Sequence, residues 1–322
     1  MTRVSVIVPT YGRPDSLERC IRALSHQTRV PDQVVVTVRA DDAISHQHLE
    51  ELCRALPALP IERVTVNAAG KSNAINAALK VATGDVLCFT DDDAEPFPDW
   101  VERIERTLAD GRIGGVGGRD IVIHPHGRDD GVCHVVGRLS WYGRLTGNHH
   151  LRLVPPLVRR VDILKGVNMA FTRDALGGFN LDKNLRWKGA FHDEIDYCLY
   201  VTNRGKTLLY DPDLQVTHRP APRTWSADRR DFAAMQFESA FNLTYLLLKH
   251  LPWPRKIAFL AYQLLVGQRT ALGLLTFPYT LTRRDMIYGQ FPAGPRLQAM
   301  AIAGKLAALY IFTRTRIQAE SR

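Results

Sequence analysis

Apolar stretches alternate with segments of helical periodicity along the first part of the chain. "RVSVIVP" at residues 3–9 is rich in β-branched residues and ends at a proline, and "PDSLERCIRALSHQ" follows with apolar residues at helical spacing. The same order recurs at "QVVVTV" and "ISHQHLEELCRAL", at "IERVTV" and "KSNAINAALKVA", and at "DVLCFT" and "PDWVERIERTL". Because these strands are too apolar for a sheet with one wet face, the pattern predicts a mainly parallel α/β sheet with helices on both faces.

The regular alternation lapses after "GGVGGRD" at residues 114–120. Residues 121–160 are rich in His, Gly, Arg and Pro and are interpreted as a long functional excursion. Regular patterns return with "VNMAFT", the helix-like "HDEIDYCLYVTNRG" and "TLLYDP", and from about residue 226 the chain reads as helices separated by prolines. We therefore predict an α/β domain at residues 1–225 and a helical region at residues 226–322.

Size and composition set the general class of protein. A chain of 322 residues with 45% hydrophobic residues can bury one large core, or a core with an appendage. The start "MTRVSVIVPT" has no long apolar segment and breaks at Pro9, so we expect no secretory signal and a cytoplasmic location. The five cysteines occur singly, which argues against a disulfide framework or a zinc site.

Positive charge is concentrated near the C-terminus. Residues 249–316 contain ten basic residues and one acidic residue, while the net charge of the whole chain is +9. The remainder is therefore close to neutral, and we expect no nucleic-acid partner.

Two apolar stretches lie in this basic segment, and polar residues interrupt both. Gln263, Gln268 and Arg269 interrupt "KIAFLAYQLLVGQRTALGLL", and Lys305 interrupts "LQAMAIAGKLAALYIF", so neither is a clean spanning helix. One interpretation is a set of amphipathic helices at the interface of an anionic membrane, which would make the protein peripheral at the inner face of the cell membrane. The other is a helical subdomain that packs its apolar faces onto the first domain.

Three consecutive carboxylates, Asp91, Asp92 and Asp93, follow the apolar strand "VLCF". Side by side they repel one another, which raises their pKa values unless a cation compensates. Asp91 and Asp93, one residue apart on a strand-exit loop, can both reach one divalent cation. The alternative is that these residues cap the helix that begins near "FPDW".

Other polar residues also follow strands directly. Thr10 and Tyr11 follow the first strand, and Asp41 and Asp42 follow the second. Because ligands bind beyond the carboxyl ends of strands in open α/β sheets, we expect these residues and the carboxylate cluster to line one crevice.

At this point the sequence resembles the family 2 glycosyltransferases, which have the GT-A fold of nucleotide-diphospho-sugar transferases. The resemblance is carried, in order, by "VSVIVPTYGRPDSLERCIRAL", by "GKSNAINAALKVATGDVLCFTDDDAEPFPDW", by "KGVNMAFTRDAL" followed by "GGF", and by "HDEIDYCLYVTNRGKTLLYDPDLQVTH". These blocks cover roughly residues 3–220.

The resemblance implies a role for each of these clusters. It identifies "DDD" as the DxD element, in which Asp91 and Asp93 hold Mn2+ or Mg2+ and Asp91 and Asp92 contact the sugar-nucleotide. It also implies the residues that hold the nucleoside, namely Thr10, Tyr11, Arg13 and Asp41 or Asp42. The second strand ends in "RADDAIS" where the family has a DDGS-like turn, so the base preference stays open. Alternatively, Tyr11 and Arg13 are turn residues, and Asp41 and Asp42 cap a helix.

Residues at the start of the third helix are candidates for binding the diphosphate. Lys71 and Asn76 lie where a helix N-terminus favours anions, although the spacing is not that of a Walker loop. Lys71 is interpreted either as a donor contact or as a solvated surface lysine.

Transfer to an acceptor hydroxyl needs a carboxylate that accepts its proton. In "HDEIDY" the order of the family's ED pair is swapped, so Glu194 is the first candidate base and Asp193 the second, while Asp196 supports the helix. The alternative is that all three complement a helix dipole. The resemblance implies that His218 in "VTH" completes the metal shell or contacts a phosphate. The alternative is that His218 has a structural role.

The resemblance implies an inverting, metal-dependent transfer of a sugar from a nucleotide-diphosphate sugar, with a UDP-sugar favoured. The Q-x-x-R-W element of processive synthases is absent from the sequence, which favours transfer of one sugar per binding event. The expected acceptor is a lipid-linked or cell-surface glycan precursor. The alternative is a non-catalytic nucleotide-sugar-binding or membrane-docking protein of the same fold, which the swapped D-E order keeps open.

Overall fold

A computed structural model describes residues 2–124, 127–186, 192–220, 232–268, 271–276, 286–288, 291–292 and 295–320. The chain forms two compact units. Unit 1 comprises Met1–Arg138, Thr146–Lys183 and Tyr197–Pro222, and unit 2 comprises Leu139–Leu145, Asn184–Asp196 and Arg223–Arg322. The boundary predicted near residue 225 lies outside the described residues.

The first fourteen strands, in chain order, are β1 (Val4–Thr10), β2 (Gln33–Arg39), β3 (Ile61–Val66), β4 (Val86–Phe89), β5 (Ala94–Pro96), β6 (Ile113–His124), β7 (Gly127–Arg128), β8 (Val132–Cys133), β9 (Arg138–Leu139), β10 (Leu145–Thr146), β11 (Arg152–Leu153), β12 (Arg159–Val161), β13 (Met169–Thr172) and β14 (Thr207–His218). The helices among them are α1 (Pro14–Ser25), α2 (Ala43–Ala55), α3 (Lys71–Val81), α4 (Trp100–Leu108), α5 (Arg173–Leu176) and α6 (Asp193–Asn203).

Unit 1 is built on one large sheet with the order β12-β14-β6-β13-β4-β1-β2-β3. β1 pairs in parallel with β2 and β4, β2 with β3, and β6 with β14, while β13 is antiparallel to both of its neighbours. Val6 and Ile7 on opposite faces of β1 are both fully buried, so the sheet is covered on both faces. The predicted α/β fold with a mainly parallel sheet is confirmed.

The glycine-rich segment "GGVGGRD", where the sequence pattern lapsed, lies inside β6. A Cβ at Gly118 would clash with the carbonyl oxygen of Leu214 on β14, and one at Gly117 would lie 2.6 Å from the carbonyl oxygen of Asn168. Close strand packing therefore requires glycine here. Because glycine has no side chain, this strand could not be recognised from the pattern of apolar residues.

Asn168, in the "KGVN" segment, ties this part of the sheet together. It is fully buried, and its side chain accepts a hydrogen bond from Trp100 Nε1 at 2.8 Å. The amide group donates to the carbonyl oxygens of Leu214 and Arg119 at 2.9 and 3.2 Å. A buried amide satisfied in this way fixes β14 against β6 and therefore positions the ends of both strands.

Unit 2 is mostly helical. Its later elements are α7 (Phe232–His250), α8 (Trp253–Leu265), β15 (Gly267–Gln268), β16 (Ala271–Leu272), a 3-10 helix (Leu274–Thr276), β17 (Met286–Tyr288), β18 (Phe291–Pro292) and α9 (Pro295–Glu320). The prediction of helices throughout this region is wrong between α8 and α9, where short strand pairs occur. Gly267 has φ +74°, a left-handed conformation that ends α8 before the apolar stretch ends.

Candidate active site

Two cationic side chains and a histidine surround the carboxylate cluster that follows β4. Lys71 Nζ lies 3.0 Å from Asp91 Oδ1. One guanidinium nitrogen of Arg13 lies 3.0 Å from both Asp92 Oδ1 and Asp93 Oδ2. The repulsion expected among the carboxylates is therefore offset by side chains of the α1 and α3 N-termini, as well as by the histidine described below.

Asp92 points into the protein. It is 1% exposed, and Thr10 Oγ1 donates to its Oδ2 at 2.7 Å. Burial raises the pKa of Asp92, and the neighbouring carboxylates raise it further, which outweighs the lowering effect of Arg13. Both oxygens of Asp92 are engaged by Thr10 and Arg13, so its predicted contact with the donor stays a prediction.

His218, at the end of β14, adjoins the cluster from the other side. Its Nε2 lies 3.3 Å from Asp93 Oδ1, and its Nδ1 lies 3.8 Å from Asp120 Oδ2. Burial alone would lower the pKa of His218, but hydrogen bonding to the Asp120 and Asp93 carboxylates raises it to about 9. The structure thus brings His218 next to Asp93, and its role as a metal ligand stays a prediction.

Asp120 is a site residue that the sequence analysis missed. It is fully buried in β6 and forms an ion pair with Lys165. Burial would raise the pKa of Asp120, but the Lys165 charge and the hydrogen bonds from His218 and Lys165 lower it to about 2. The parallel pairing that places Asp120 opposite Val216 brings it to His218, and the only sequence signal was an aspartate in a glycine-rich run.

The predicted nucleoside pocket contains an arginine that the sequence analysis did not name. The Arg39 guanidinium lies 3.8 Å from the ring centroid of Tyr11 and pairs with Asp41. Asp42 accepts from the backbone N–H of Gly12 at 2.6 Å and caps α2 through Ser45. The interpretation of Asp42 as a helix cap is confirmed, and Tyr11 with Arg39 forms a flat, cationic surface at the ends of β1 and β2.

Asn76 is placed differently from Lys71 on α3. Its side chain accepts from the backbone N–H of Leu181 at 2.8 Å and donates to the carbonyl oxygen of the same residue at 3.0 Å. Both polar atoms of Asn76 thus hold the segment around residue 181. A donor contact by Asn76 stays a prediction, and Lys71 is the residue of α3 that faces the carboxylate cluster.

The candidate bases Glu194 and Asp193 begin α6 in unit 2, and the division between the units falls within this helix, after Asp196. Asp193 is 5% exposed and Glu194 is half-buried. His192, directly before them, has φ +69°, a left-handed conformation that a non-glycine residue rarely adopts. The choice between the two carboxylates stays a prediction.

Asp196, the third acid of "HDEIDY", anchors α6 to α7 within unit 2. Its fully buried carboxylate lies 2.8 Å from Lys249 Nζ and 2.6 Å from His250 Nε2. Burial alone would raise the pKa of Asp196, but hydrogen bonds from His250 and Lys249 and the Lys249 charge lower it below its ordinary value. Its contact with α7 explains the support that the sequence analysis assigned to it.

We expect Asp196→Asn to lower the free energy of unfolding by about 3 kcal/mol at pH 7, because it removes the buried carboxylate that pairs with Lys249 and with the largely buried His250. The folded-state pKa of Asp196 is lowered, so this contribution is present above about pH 4 and is lost as the pH falls through the folded-state value. Urea unfolding of both proteins across the acid range measures the difference.

Asp174→Asn is the matched control, because the Asp174 side chain is 80% exposed and pairs with Lys206 at 2.8 Å on the surface. Its effect should stay within roughly 0.5 kcal/mol. An Asp196→Asn protein as stable as the control variant would contradict the anchoring role.

The donor atoms at this site suit a divalent cation that takes its remaining ligands from the substrate. Within the described residues, no three His, Cys, Asp or Glu side chains are grouped closely enough to hold a metal ion. Asp93 Oδ1 and His218 Nε2 do lie side by side, while Asp91 faces Lys71. Mg2+ and Mn2+ bind carboxylate oxygens and commonly complete their shells with phosphate oxygens, so a two-residue protein site is chemically suitable.

Comparison with known proteins shows what the chain is similar to in sequence and in fold. The family model described as "Glycosyl transferase family 2" matches residues 5–147. A mannosyltransferase of Pyrobaculum calidifontis, solved with GDP-Man and Mn2+, superposes with a TM-score of 0.60 at 19% identity, over 96% of this chain and 87% of that one. The fold is therefore that of the GT-A nucleotide-sugar transferases.

Two curated relatives come from Haloferax volcanii. The glucosyl-dolichyl phosphate glucuronosyltransferase is 26% identical over 236 residues, 67% of this chain and 69% of that protein. Glycosyltransferase AglE is 29% identical over 128 residues, 38% of this chain and 41% of that protein. Residues 5–147, somewhat under half of the chain, therefore resemble the family 2 glycosyltransferases. The chain spans about two fifths of AglE, so this likeness does not by itself define its substrates.

Proposed function

We propose that this protein transfers a single sugar from a nucleotide-diphosphate sugar to an acceptor hydroxyl with inversion at the anomeric carbon. The observation that carries the proposal is the cluster of Asp91, Asp92 and Asp93 at the end of β4, held between Arg13, Lys71 and His218 in a family 2 domain. Such a balanced set of charges at strand ends suits a diphosphate with its counterion.

The nucleoside is proposed to lie against Tyr11 and Arg39 at the ends of β1 and β2. An aromatic ring with a stacked guanidinium offers a flat face to a base, and Thr10 and Arg13 lie next to it in the chain. Asp41, whose side chain is 61% exposed, is the acid here that a ribose hydroxyl can reach. We take a UDP-sugar as the donor, with GDP- and dTDP-sugars as its competitors.

Asp93 and His218 would hold a divalent cation, joined by Asp91 once its carboxylate turns from Lys71. When bound, the cation offsets the negative charge that develops on the departing nucleotide diphosphate. Lys71 at the N-terminus of α3 adds positive charge toward the same phosphates. Glu194, or Asp193 in its place, accepts the proton of the acceptor hydroxyl as that oxygen attacks the anomeric carbon.

The acceptor is proposed to be a lipid-linked or cell-surface glycan precursor. Unit 2 is proposed to dock on the anionic inner face of the cell membrane. One relative is named for its action on a glucosyl-dolichyl phosphate, which supports a lipid-linked class. The structure's described helices include none with the length and hydropathy of a membrane-spanning segment.

Hydrolysis of the donor tests the proposal without knowledge of the acceptor. The purified chain is incubated with UDP-, GDP- and dTDP-sugars in the presence of Mn2+, Mg2+ or a chelator, and the released nucleotide is measured. We expect release with one nucleotide class that requires the cation. Tight donor binding with no turnover under any of these conditions would instead favour a non-catalytic nucleotide-sugar-binding protein.

A further inference from the structure

Helix α9 of unit 2 has polar side chains among its buried positions and apolar side chains among its exposed positions. On α9 the buried positions recur at helical spacing as Gln298, Ala301, Lys305 and Ala308. On the exposed face of the same helix lie Ala303, Leu306 and Tyr310. A helix that faces water shows the reverse arrangement, with its polar residues exposed.

The inward polar groups bond to backbone carbonyl oxygens within unit 2. Lys305 Nζ donates to Gln263 at 2.7 Å, Gln298 Nε2 to Gly273 at 2.6 Å, and Gln268 Nε2 to Gly143 at 2.9 Å. Burial lowers the pKa of Lys305 to about 7. Gln263, Gln268 and Lys305, which interrupt the two apolar stretches in the sequence, are therefore interior residues of this unit.

Exposed apolar side chains also lie on α8 and the 3-10 helix. Exposed fractions are 65% for Trp253, 55% for Ile257 and 45% for Leu265, which share one side of α8. Leu275 on the 3-10 helix is 68% exposed, and Leu306 on α9 is 53% exposed. Large apolar side chains this frequent on a surface indicate contact with something other than water.

Much of the basic charge of this segment is used inside the unit. Arg255 donates to the carbonyl oxygens of Trp141 and Ser140, and Lys249 pairs with Asp196. Arg296, Arg314 and Arg316 are exposed on α9, the first near the start of the helix and the other two near its end. Arg269, Arg283 and Arg284 lie outside the described residues. The exposed face of α9 is thus apolar in its middle, with arginines toward both ends.

We propose that unit 2 inserts this apolar exterior, which comprises Trp253, Ile257, Leu265, Leu275, Leu306 and Tyr310, into the interfacial region of an anionic lipid bilayer. The inference rests on the docking proposed above and names the surface that docks. Aromatic side chains with a polar edge and arginines beside an apolar face match the depth profile of a bilayer interface. Because buried apolar area supplies most of the attraction, binding persists when salt screens the charges.

Flotation with vesicles tests the inserted surface. The full chain and its Ile257→Glu and Leu306→Glu variants are floated with vesicles of anionic lipid at low and at about 1 M salt. We expect the native chain to float at both salt concentrations, and each substitution to reduce the bound-to-unbound ratio roughly tenfold or more. Ile44→Glu is the matched control, because Ile44 is 65% exposed on α2 in unit 1 and should leave flotation unchanged.

Three results would overturn the proposal. The first is absence of flotation by the native chain, and the second is complete release at high salt, which would leave electrostatic docking alone. The third is a dimer in light scattering that Ile257→Glu dissociates, which would assign the apolar exterior to a second copy of the chain. Donor hydrolysis is measured on the same proteins, so that failure of insertion is distinguished from failure of the proposed transferase activity.

Discussion

Asp93→Ala is expected to abolish cation-dependent donor binding while leaving the fold intact. Asp93 is the carboxylate that contacts both Arg13 and His218, so its removal takes away an oxygen that the cation would share with the imidazole. Donor affinity in the presence of Mn2+ or Mg2+ should fall roughly a hundredfold or more, on the scale of losing one charged contact. Calorimetric titration with the donor nucleotide, with and without the cation, measures the change.

The fold should survive because the substitution also removes one of three neighbouring negative charges. Arg13 keeps its contact with Asp92 at 3.0 Å. Asp110→Ala is the matched control, since Asp110 pairs with Arg112 on the surface and should leave donor binding unchanged. An Asp93→Ala protein that unfolds, or that binds donor like the native chain, would make the carboxylate cluster structural.

Glu194→Gln is expected to retain donor affinity and to lose turnover by roughly 10²- to 10⁴-fold, because the amide keeps the shape of the side chain but accepts no proton at neutral pH. Cation-dependent release of nucleotide, measured beside donor binding, separates the two effects. The companion variant Asp193→Asn tests the second candidate. If Glu194→Gln remains active and Asp193→Asn is inactive, the base is Asp193, and if both remain active, the assignment of the base to this helix start is wrong.

Local sequence patterns predicted most of unit 1. The alternation of apolar strands with amphipathic helices reflects burial on both faces of a sheet, and that burial constrains residue type at every position of β1, β2 and β4. The position of ligand residues at strand ends follows from the same alternation, so Thr10, Asp42 and the Asp91–Asp93 cluster could be grouped without a structure. The strand β6 was missed because glycines selected for close packing carry no apolar signal.

The contacts of these residues were decided by the tertiary structure. The side chain that contacts each carboxylate depends on how α1, α3 and β14 approach the end of β4. These elements are far apart in the chain. Asp120 and Arg39 became site residues through strand pairing and ring stacking, and neither belongs to a motif. The sequence showed that Lys305 and Gln263 lie in a basic, apolar segment. It did not show that they are buried, because the face of a helix that is buried depends on the elements that pack against it. The sequence by itself thus determined the sheet, the residues that reach its edge and the resemblance to the family 2 glycosyltransferases. Long-range packing decided the partners of those residues and the polarity of the surface of unit 2.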